Sequence, residues 1–242
     1  MGAFLFVLIT THNLSNLLRM SIENNLQNIE NLIGKASSLW DRNRDDVHLI
    51  AVSKRQSDEK IQEALDTGHR IFGENRVQEA FDHWQVHKTA YPDLSLHLIG
   101  PLQTNKVKDA VGLFDVIHTV DREKLARKLG NEMKEQGRNL SCFIQVNIGE
   151  EDQKSGILPE ELPDFLAFCR DECALSITGL MCIPPVNEPA ALYFALLKKM
   201  ADQHDLPDLS MGMSSDYEKA VALGATYIRV GTGIFGARDG YE

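Results

Sequence analysis

Eight short β-branched runs alternate with helical patterns along most of this chain, and that alternation limits the fold more than any other feature. The runs lie at 47–53, 69–72, 95–99, 115–120, 141–148, 176–181, 208–212 and 226–230. Helical patterns fall between them at 58–67, 77–88, 105–111, 122–136, 160–173, 190–203 and 216–223. Gly68, Gly137 and Gly224 follow three of these patterns and read as helix stops. Strand–helix alternation implies a parallel sheet with right-handed crossovers. Eight such units in roughly 220 residues match a (β/α)8 barrel, with an open doubly wound sheet as the other arrangement. One more helix precedes the first strand. Ile22, Leu26, Ile29, Ile33, Ala36 and Trp40 form a single apolar stripe, and Ser21 is placed to cap it. The expected fold is therefore α/β: one TIM-type barrel over residues 20–242, with an extra N-terminal helix. Residues 1–19 read as an extension outside the core.

Composition narrows the partners. Acidic residues outnumber basic ones 35 to 25, for a net charge of −10. That balance argues against nucleic acid, which selects a basic face, but leaves room for a small basic pocket. The apolar run Ala3–Ile9 is too short to span a bilayer and lacks the flanks of a signal peptide. No membrane association and a cytoplasmic location are expected. Cys142, Cys169, Cys173 and Cys182 form no CxxC pair and read as buried, reduced thiols; no metal site is expected among them.

In a parallel barrel the chemistry sits where strands end. The first strand, His48-Leu49-Ile50-Ala51-Val52, ends at Ser53-Lys54. A lysine at the barrel mouth loses part of its preference for the charged form, and a neutral amine can attack a carbonyl. Position alone leaves open that Lys54 merely snorkels to water. The last two strands end in small and hydroxyl-bearing residues, Ser210-Met211-Gly212-Met213-Ser214-Ser215-Asp216 and Arg229-Val230-Gly231-Thr232-Gly233. Loops after strands seven and eight are the usual phosphate site of this barrel. An amine for an aldehyde, together with a cradle for a phosphate, suits pyridoxal 5′-phosphate (PLP). Arg229 would face the ring from strand eight.

The chain resembles the pyridoxal phosphate homeostasis proteins. The likeness is carried by Ala51-Val52-Ser53-Lys54, Phe72-Gly73-Glu74-Asn75, His97-Leu98-Ile99-Gly100 with Leu102-Gln103-Thr104-Asn105-Lys106, and Gly179-Leu180-Met181. It continues through Leu209 to Asp216 and Arg229 to Gly236, and so runs from about Met20 to Gly236. The resemblance implies the barrel of the alanine racemase N-terminal domain and covalent PLP binding without an established reaction. It implies Lys54 as the Schiff-base lysine and Ser214, Gly231 and Thr232 as phosphate ligands. Arg229 would meet the pyridine nitrogen, and Asn75 would form part of the pocket wall. The chain departs from the family at Arg55-Gln56, where many members have Thr-Lys, at Arg76, where Tyr is frequent, and at Leu96-His97-Leu98, where Trp-His-Phe is frequent.

Other polar residues have ordinary readings. His97 and His118 are expected as hydrogen-bonded interior histidines. Gln103, Asn105 and Lys106 either line the mouth or cap the next helix. Gln145 and Asn147 alternate on strand five and can point inward, and Lys154 lies in a polar loop after it. Lys106 and Lys154 are the further lysines in question for handling PLP, and the sequence leaves that open. Met181, Met211 and Met213 read as core filling.

The functional expectation is a PLP carrier in intracellular vitamin B6 homeostasis, with apo PLP-dependent enzymes as acceptors and no catalytic residues. The alternative is a PLP-dependent racemase-like enzyme. A racemase needs a second acid/base on the opposite ring face, which the alanine racemases take from a separate domain that has no counterpart before Glu242. Arginine at the ring nitrogen also cannot accept a proton, whereas an electron-sink cofactor relies on a carboxylate there. An aldolase-type barrel would need a general base beside Lys54, and no carboxylate stands out for that place, since Glu74 follows strand two and could equally be a helix-start residue. A monomer is expected, since nothing in the helix surfaces demands a dimer.

Overall fold

The structure is a computed structural model that describes residues 21–236. The reading of residues 1–19 as an extension lies outside the described residues. Ser21 opens helix α1 (Ile22–Leu39), and its hydroxyl accepts from Asn24 N at 3.2 Å. Five members of the apolar stripe, Ile22 to Ala36, are buried. Trp40 is not: it follows the last turn and is 58% exposed. The helix ends before its sixth repeat, so the period that predicted burial no longer applies there.

Eight strands follow, β1 (His48–Val52), β2 (Ile71–Glu74), β3 (Ser95–Leu98), β4 (Val116–Val120), β5 (Ser141–Val146), β6 (Ser176–Cys182), β7 (Asp208–Met213) and β8 (Tyr227–Val230). They pair in chain order, all parallel, and β8 closes on β1 through His48↔Tyr227 to Ala51↔Val230. The closed barrel, not the open sheet, is the fold. The crossover helices are α2 (Asp58–Asp66), α3 (Val77–Ala90), α4 (Val107–Leu113), α5 (Glu123–Gln136), α6 (Leu162–Ala167), α7 (Ala190–Gln203) and α8 (Tyr217–Ala222). The pattern at 160–173 is split: α6 widens into a π-type segment over Phe168–Glu172. Gly68, Gly137 and Gly224 take left-handed backbone (φ 89°, 63° and 101°), the geometry that ends these helical segments.

After β8 only one turn of helix forms, α9 (Thr232–Phe235). The N-terminal helix fills the space that a full eighth helix would occupy. It packs on α8, α2 and α9. Asn25 Nδ2 donates to Ile234 O at 2.8 Å, and Ile22 N to Glu63 Oε1 at 2.9 Å. The expected extra helix is thus the element that completes the outer ring.

Strand alternation divides the core in two. Leu49, Ala51, Phe72, Leu96, Leu98, Ile117, Ile144 and Leu180 point outward into the apolar layer beneath the helices. The barrel interior is far more polar. At its floor His48, His97, His118, Phe143 and Tyr227 stack together, with His118 and Phe143 parallel at 4.4 Å between ring centroids. His97 Nδ1 and His118 Nε2 lie 2.9 Å apart, and Ser95 Oγ is 2.9 Å from His97 Nε2. Both histidines are interior and hydrogen-bonded, as expected. The cysteines are all buried and unpaired, and burial pushes the thiols of Cys142, Cys169 and Cys182 up to about 12. Among the described residues no helix is long and apolar enough to cross a membrane.

The histidine floor carries a pH dependence. Burial lowers His97 from its usual 6.5 to about 3, and burial with the neighbouring His97 lowers His118 well below it. Between about pH 6.5 and about 3 the unfolded chain binds protons that the fold refuses, so stability falls as pH falls through this window. One such group contributes at most about 1.4 kcal/mol per pH unit. Urea unfolding of His97→Gln should show a shallower acid limb than the parent protein; an unchanged slope would mean that His97 protonates readily in the fold.

Candidate functional site

Parallel strands deliver their C-terminal ends to one rim. On β1 the chain leaves the sheet at Ser53 and makes a tight turn closed by Gln56 N to Ser53 O at 3.0 Å. Lys54 and Arg55 are its two central residues. Lys54 is half-buried, and Arg55 adopts φ 57°, a left-handed conformation unusual for a side chain of this kind. Lys54 therefore leaves a fixed turn at the rim, not a loose strand end.

Beside it stands the end of β8. The β1–β8 register sets Val52 level with Gly231, and a Cβ on Gly231 would come within 3.3 Å of Val52 O and 3.4 Å of Val52 Cβ. Gly231 precedes α9, whose first N–H groups have no carbonyl one turn back to bond. Thr232 is the first residue of that turn. Its hydroxyl lies 3.4 Å from that of Ser214, across from β8 at the end of β7, and both are exposed. An irregularity in β7 makes this possible. Ser210 pairs with Tyr227 but Met213 pairs with Arg229, so β7 spends an extra residue near Gly212, which has φ 90°. Met213 is carried out of the core by the same irregularity and is 37% exposed, contrary to the core role expected of it; Met181 and Met211 are buried as expected.

Arg229 projects into the barrel from β8, two residues above Tyr227. It is buried, and donates through Nη1 to Ser210 Oγ at 2.5 Å and through Nη2 to Cys182 O at 2.9 Å. Burial lowers its pKa from the usual guanidinium value. Two neutral acceptors hold the head group. Lys54, Arg229, Gly231, Thr232 and Ser214 thus come from three adjacent strands, β7, β8 and β1. Two hydroxyls, a glycine and the open start of a helical turn suit an anion.

Asn75 stands on the other flank of β1, at the end of the neighbouring strand β2. It lines a cavity of about 280 Å³ with Gly100, Gln145, Asn147 and Lys154 among its walls. Gln145 and Asn147 turn their amides onto the loop after β5: Gln145 Nε2 donates to Ser155 O at 3.1 Å and Asn147 Nδ2 to Glu151 O at 2.9 Å. Lys154 bonds Pro184 O at 3.1 Å and pairs with Glu151. Gln103, Asn105 and Lys106 do not line this cavity. They lead into α4, and Lys106 reaches Gln78 Oε1 at 3.3 Å.

Glu74 ends β2 with its side chain turned away from the mouth, toward α3. Its Oε1 accepts from Ser53 Oγ at 2.6 Å and Trp84 Nε1 at 3.1 Å. Burial raises its pKa above the usual carboxylate value, with both hydrogen bonds opposing the rise. It is not available at the rim as a base. Sequence reading missed this contact, and also Ser210 as the partner of Arg229. The signal for Glu74 was its alternation: Gly73 faces the barrel interior, so the next residue faces the helices.

The model of the alanine racemase N-terminal domain family matches residues 21–239. The pyridoxal phosphate homeostasis protein of Escherichia coli (strain K12) is 38% identical over 229 residues, covering 90% of this chain and 97% of that protein. Its counterpart in Vibrio cholerae is 39% identical, again over 90% of this chain and 97% of the relative. Among solved structures, PipY of Synechococcus elongatus with PLP bound is 40% identical, with a TM-score of 0.72, covering 85% of this chain and 100% of PipY. Alanine racemase of Clostridium difficile 630 shares the fold at 16% identity and a TM-score of 0.70.

Close packing at the rim gives a direct test of this geometry. A Cβ on Gly100 would sit 2.2 Å from Asn75 O and 2.7 Å from Asn75 Cα, both backbone atoms. Gly100→Ala should therefore destabilise by about 1–3 kcal/mol or more and displace Asn75. Gly34→Ala, in α1 with nothing within 4 Å, should instead gain about 1 kcal/mol. Thermal unfolding of the two variants checks both signs.

Proposed function

The chain belongs to the pyridoxal phosphate homeostasis proteins, within the alanine racemase N-terminal domain family, and from that membership we propose that it holds PLP at its barrel mouth as a carrier and not as an enzyme. The observation that carries the proposal is the meeting of Ser214 and Thr232 hydroxyls beside Gly231, on the strand that neighbours the one bearing Lys54. When bound, the cofactor supplies an aldehyde, a phosphate and an aromatic ring nitrogen. Lys54 is the residue whose amine condenses with the aldehyde, with loss of water, to a Schiff base. Ser214, Gly231 and Thr232 bind the phosphate, and Asn75, at the end of the neighbouring strand β2, forms part of the pocket wall.

Arg229 supports the absence of turnover. Its guanidinium is a donor only, and it is held on Ser210 and Cys182 O beneath the rim. A ring nitrogen facing it gains a hydrogen bond at most, not a proton. Carbanion chemistry on this cofactor draws on a protonated ring nitrogen, which a carboxylate normally secures. The carboxylate at the end of β2, Glu74, is committed to Ser53 and Trp84. A half-buried lysine at an open rim leaves the cofactor accessible to another amine, which suits release to apo PLP-dependent enzymes. The buried, unpaired thiols suit a reducing compartment such as the cytoplasm. We read the carrier as a monomer.

Borohydride reduction of the PLP-loaded protein, followed by peptide mass mapping, should place the pyridoxyl group on Lys54, and Lys54→Ala should lose the imine absorption band while keeping its fold. Label found mainly on Lys106 or Lys154 would reject the assignment. In deuterated solvent with a panel of amino acids, the loaded protein should exchange Cα hydrogen no faster than free PLP while reactivating an apo-enzyme. Fast exchange that depends on Lys54 would make it an enzyme of the racemase type.

A further inference from the structure

We propose that Glu74 is a positioning residue for Lys54: through its buried hydrogen bond to Ser53 it fixes the turn from which Lys54 reaches its aldehyde. The inference rests on the reading of Lys54 as the attachment point.

Ser53 is the last residue before the lysine, and each of its polar groups is engaged. Its N–H donates to Gly73 O at 3.1 Å, its carbonyl accepts from Gln56 N at 3.0 Å, and its hydroxyl donates to Glu74 Oε1 at 2.6 Å. The first bond ties the residue to β2. The second closes the turn around Lys54 and Arg55. The third runs from the outer face of the barrel to a carboxylate that Trp84 also holds, at 3.1 Å. Ser53, Glu74 and Trp84 are each at most 1% exposed. Trp84 is itself wedged against Phe72, ring centroids 4.7 Å apart, so the chain of contacts runs from the lysine turn to the body of α3.

Two features point to positioning. A carboxylate shut away from water is unfavourable unless its bonds compensate, and an apolar side chain of similar size would serve packing as well or better. What the carboxylate adds is direction: one oxygen fixes both the Ser53 hydroxyl and the Trp84 indole. The turn itself needs holding, because Arg55 occupies left-handed backbone at φ 57°, a conformation that persists where its surroundings enforce it. Anchoring Ser53 on the helix side fixes the point at which the turn that carries Lys54 leaves the sheet.

The test separates covalent from non-covalent binding in the full-length chain. Pyridoxine 5′-phosphate carries an alcohol where PLP carries the aldehyde; it can occupy the same pocket but cannot bond Lys54. Affinities for both ligands are measured on the parent protein, Ser53→Ala and Glu74→Leu, the latter removing the acceptor oxygen while keeping the bulk. Each substitution should weaken PLP about tenfold and lower the yield of borohydride-trapped adduct, while pyridoxine 5′-phosphate binds within about twofold of the parent. Equal weakening of both ligands, or of neither, overturns the inference and leaves the Lys54 reading in place. If the parent protein does not prefer PLP over the alcohol, the Lys54 reading itself fails and takes this inference with it. Should Glu74→Leu lose its cooperative thermal transition, Ser53→Ala, which removes one buried oxygen, decides the matter alone.

Discussion

The pairing of β8 with β1 is the contact on which the rest of the molecule depends. It joins strands about 180 residues apart in sequence through four level pairs, from His48↔Tyr227 to Ala51↔Val230. Without it the eight strands would be an open sheet with two exposed edges. With it, Lys54 and Thr232 become neighbours on one rim. The closure is also what gives α1 its place. A barrel whose last crossover helix is a single turn leaves an apolar gap between α8 and α2, and the N-terminal helix covers it with Ile22, Leu26, Ile29 and Ile33. Residues near both ends of the described chain therefore stabilise the same side of the barrel, the side that carries Lys54, Gly231 and Thr232.

Closure also sorts side chains by polarity. Outward-facing strand residues form a continuous apolar layer, whose burial drives folding. Inward-facing residues have no room for an oily core on that scale and are instead joined to one another: Ser95, His97 and His118 at the floor, and Arg229 with Ser210 above them. The consequence for chemistry is a division of charge. The cation of β8 lies inside the barrel, held by neutral acceptors. The carboxylate of β2 lies outside it, between strand and helix. In the proposed reading such a pocket would offer a bound ring a hydrogen-bond donor, while the buried acid holds the Ser53 hydroxyl beside the lysine turn.

Much of this was legible in the sequence. Strand and helix periods differ, two residues against 3.6, and eight strand runs alternate with seven helical patterns, so element order and fold class follow from pattern alone. Lys54, Ser214, Arg229, Gly231 and Thr232 stand out in the sequence because parallel strands must deliver their ends to one rim, whereas Asn75 enters only through the resemblance to the family. Where the reading failed, a local rule met a tertiary cause. Trp40 fits the stripe of α1 but lies past its last turn. Met213 looks like core filling, yet the irregularity near Gly212 carries it outward.

Order, periodicity and the residue types at strand ends were thus determined by the chain itself, since they depend on neighbours within a few positions. Tertiary structure decided which of those residues meet, and on which face. The bond from Ser53 to Glu74, the grip of Ser210 on Arg229 and the approach of Thr232 to Ser214 span 18 to 21 residues of sequence. No local propensity encodes such contacts; they exist because a closed sheet fixes register, and register fixes whether a side chain points to the barrel axis or to the helices.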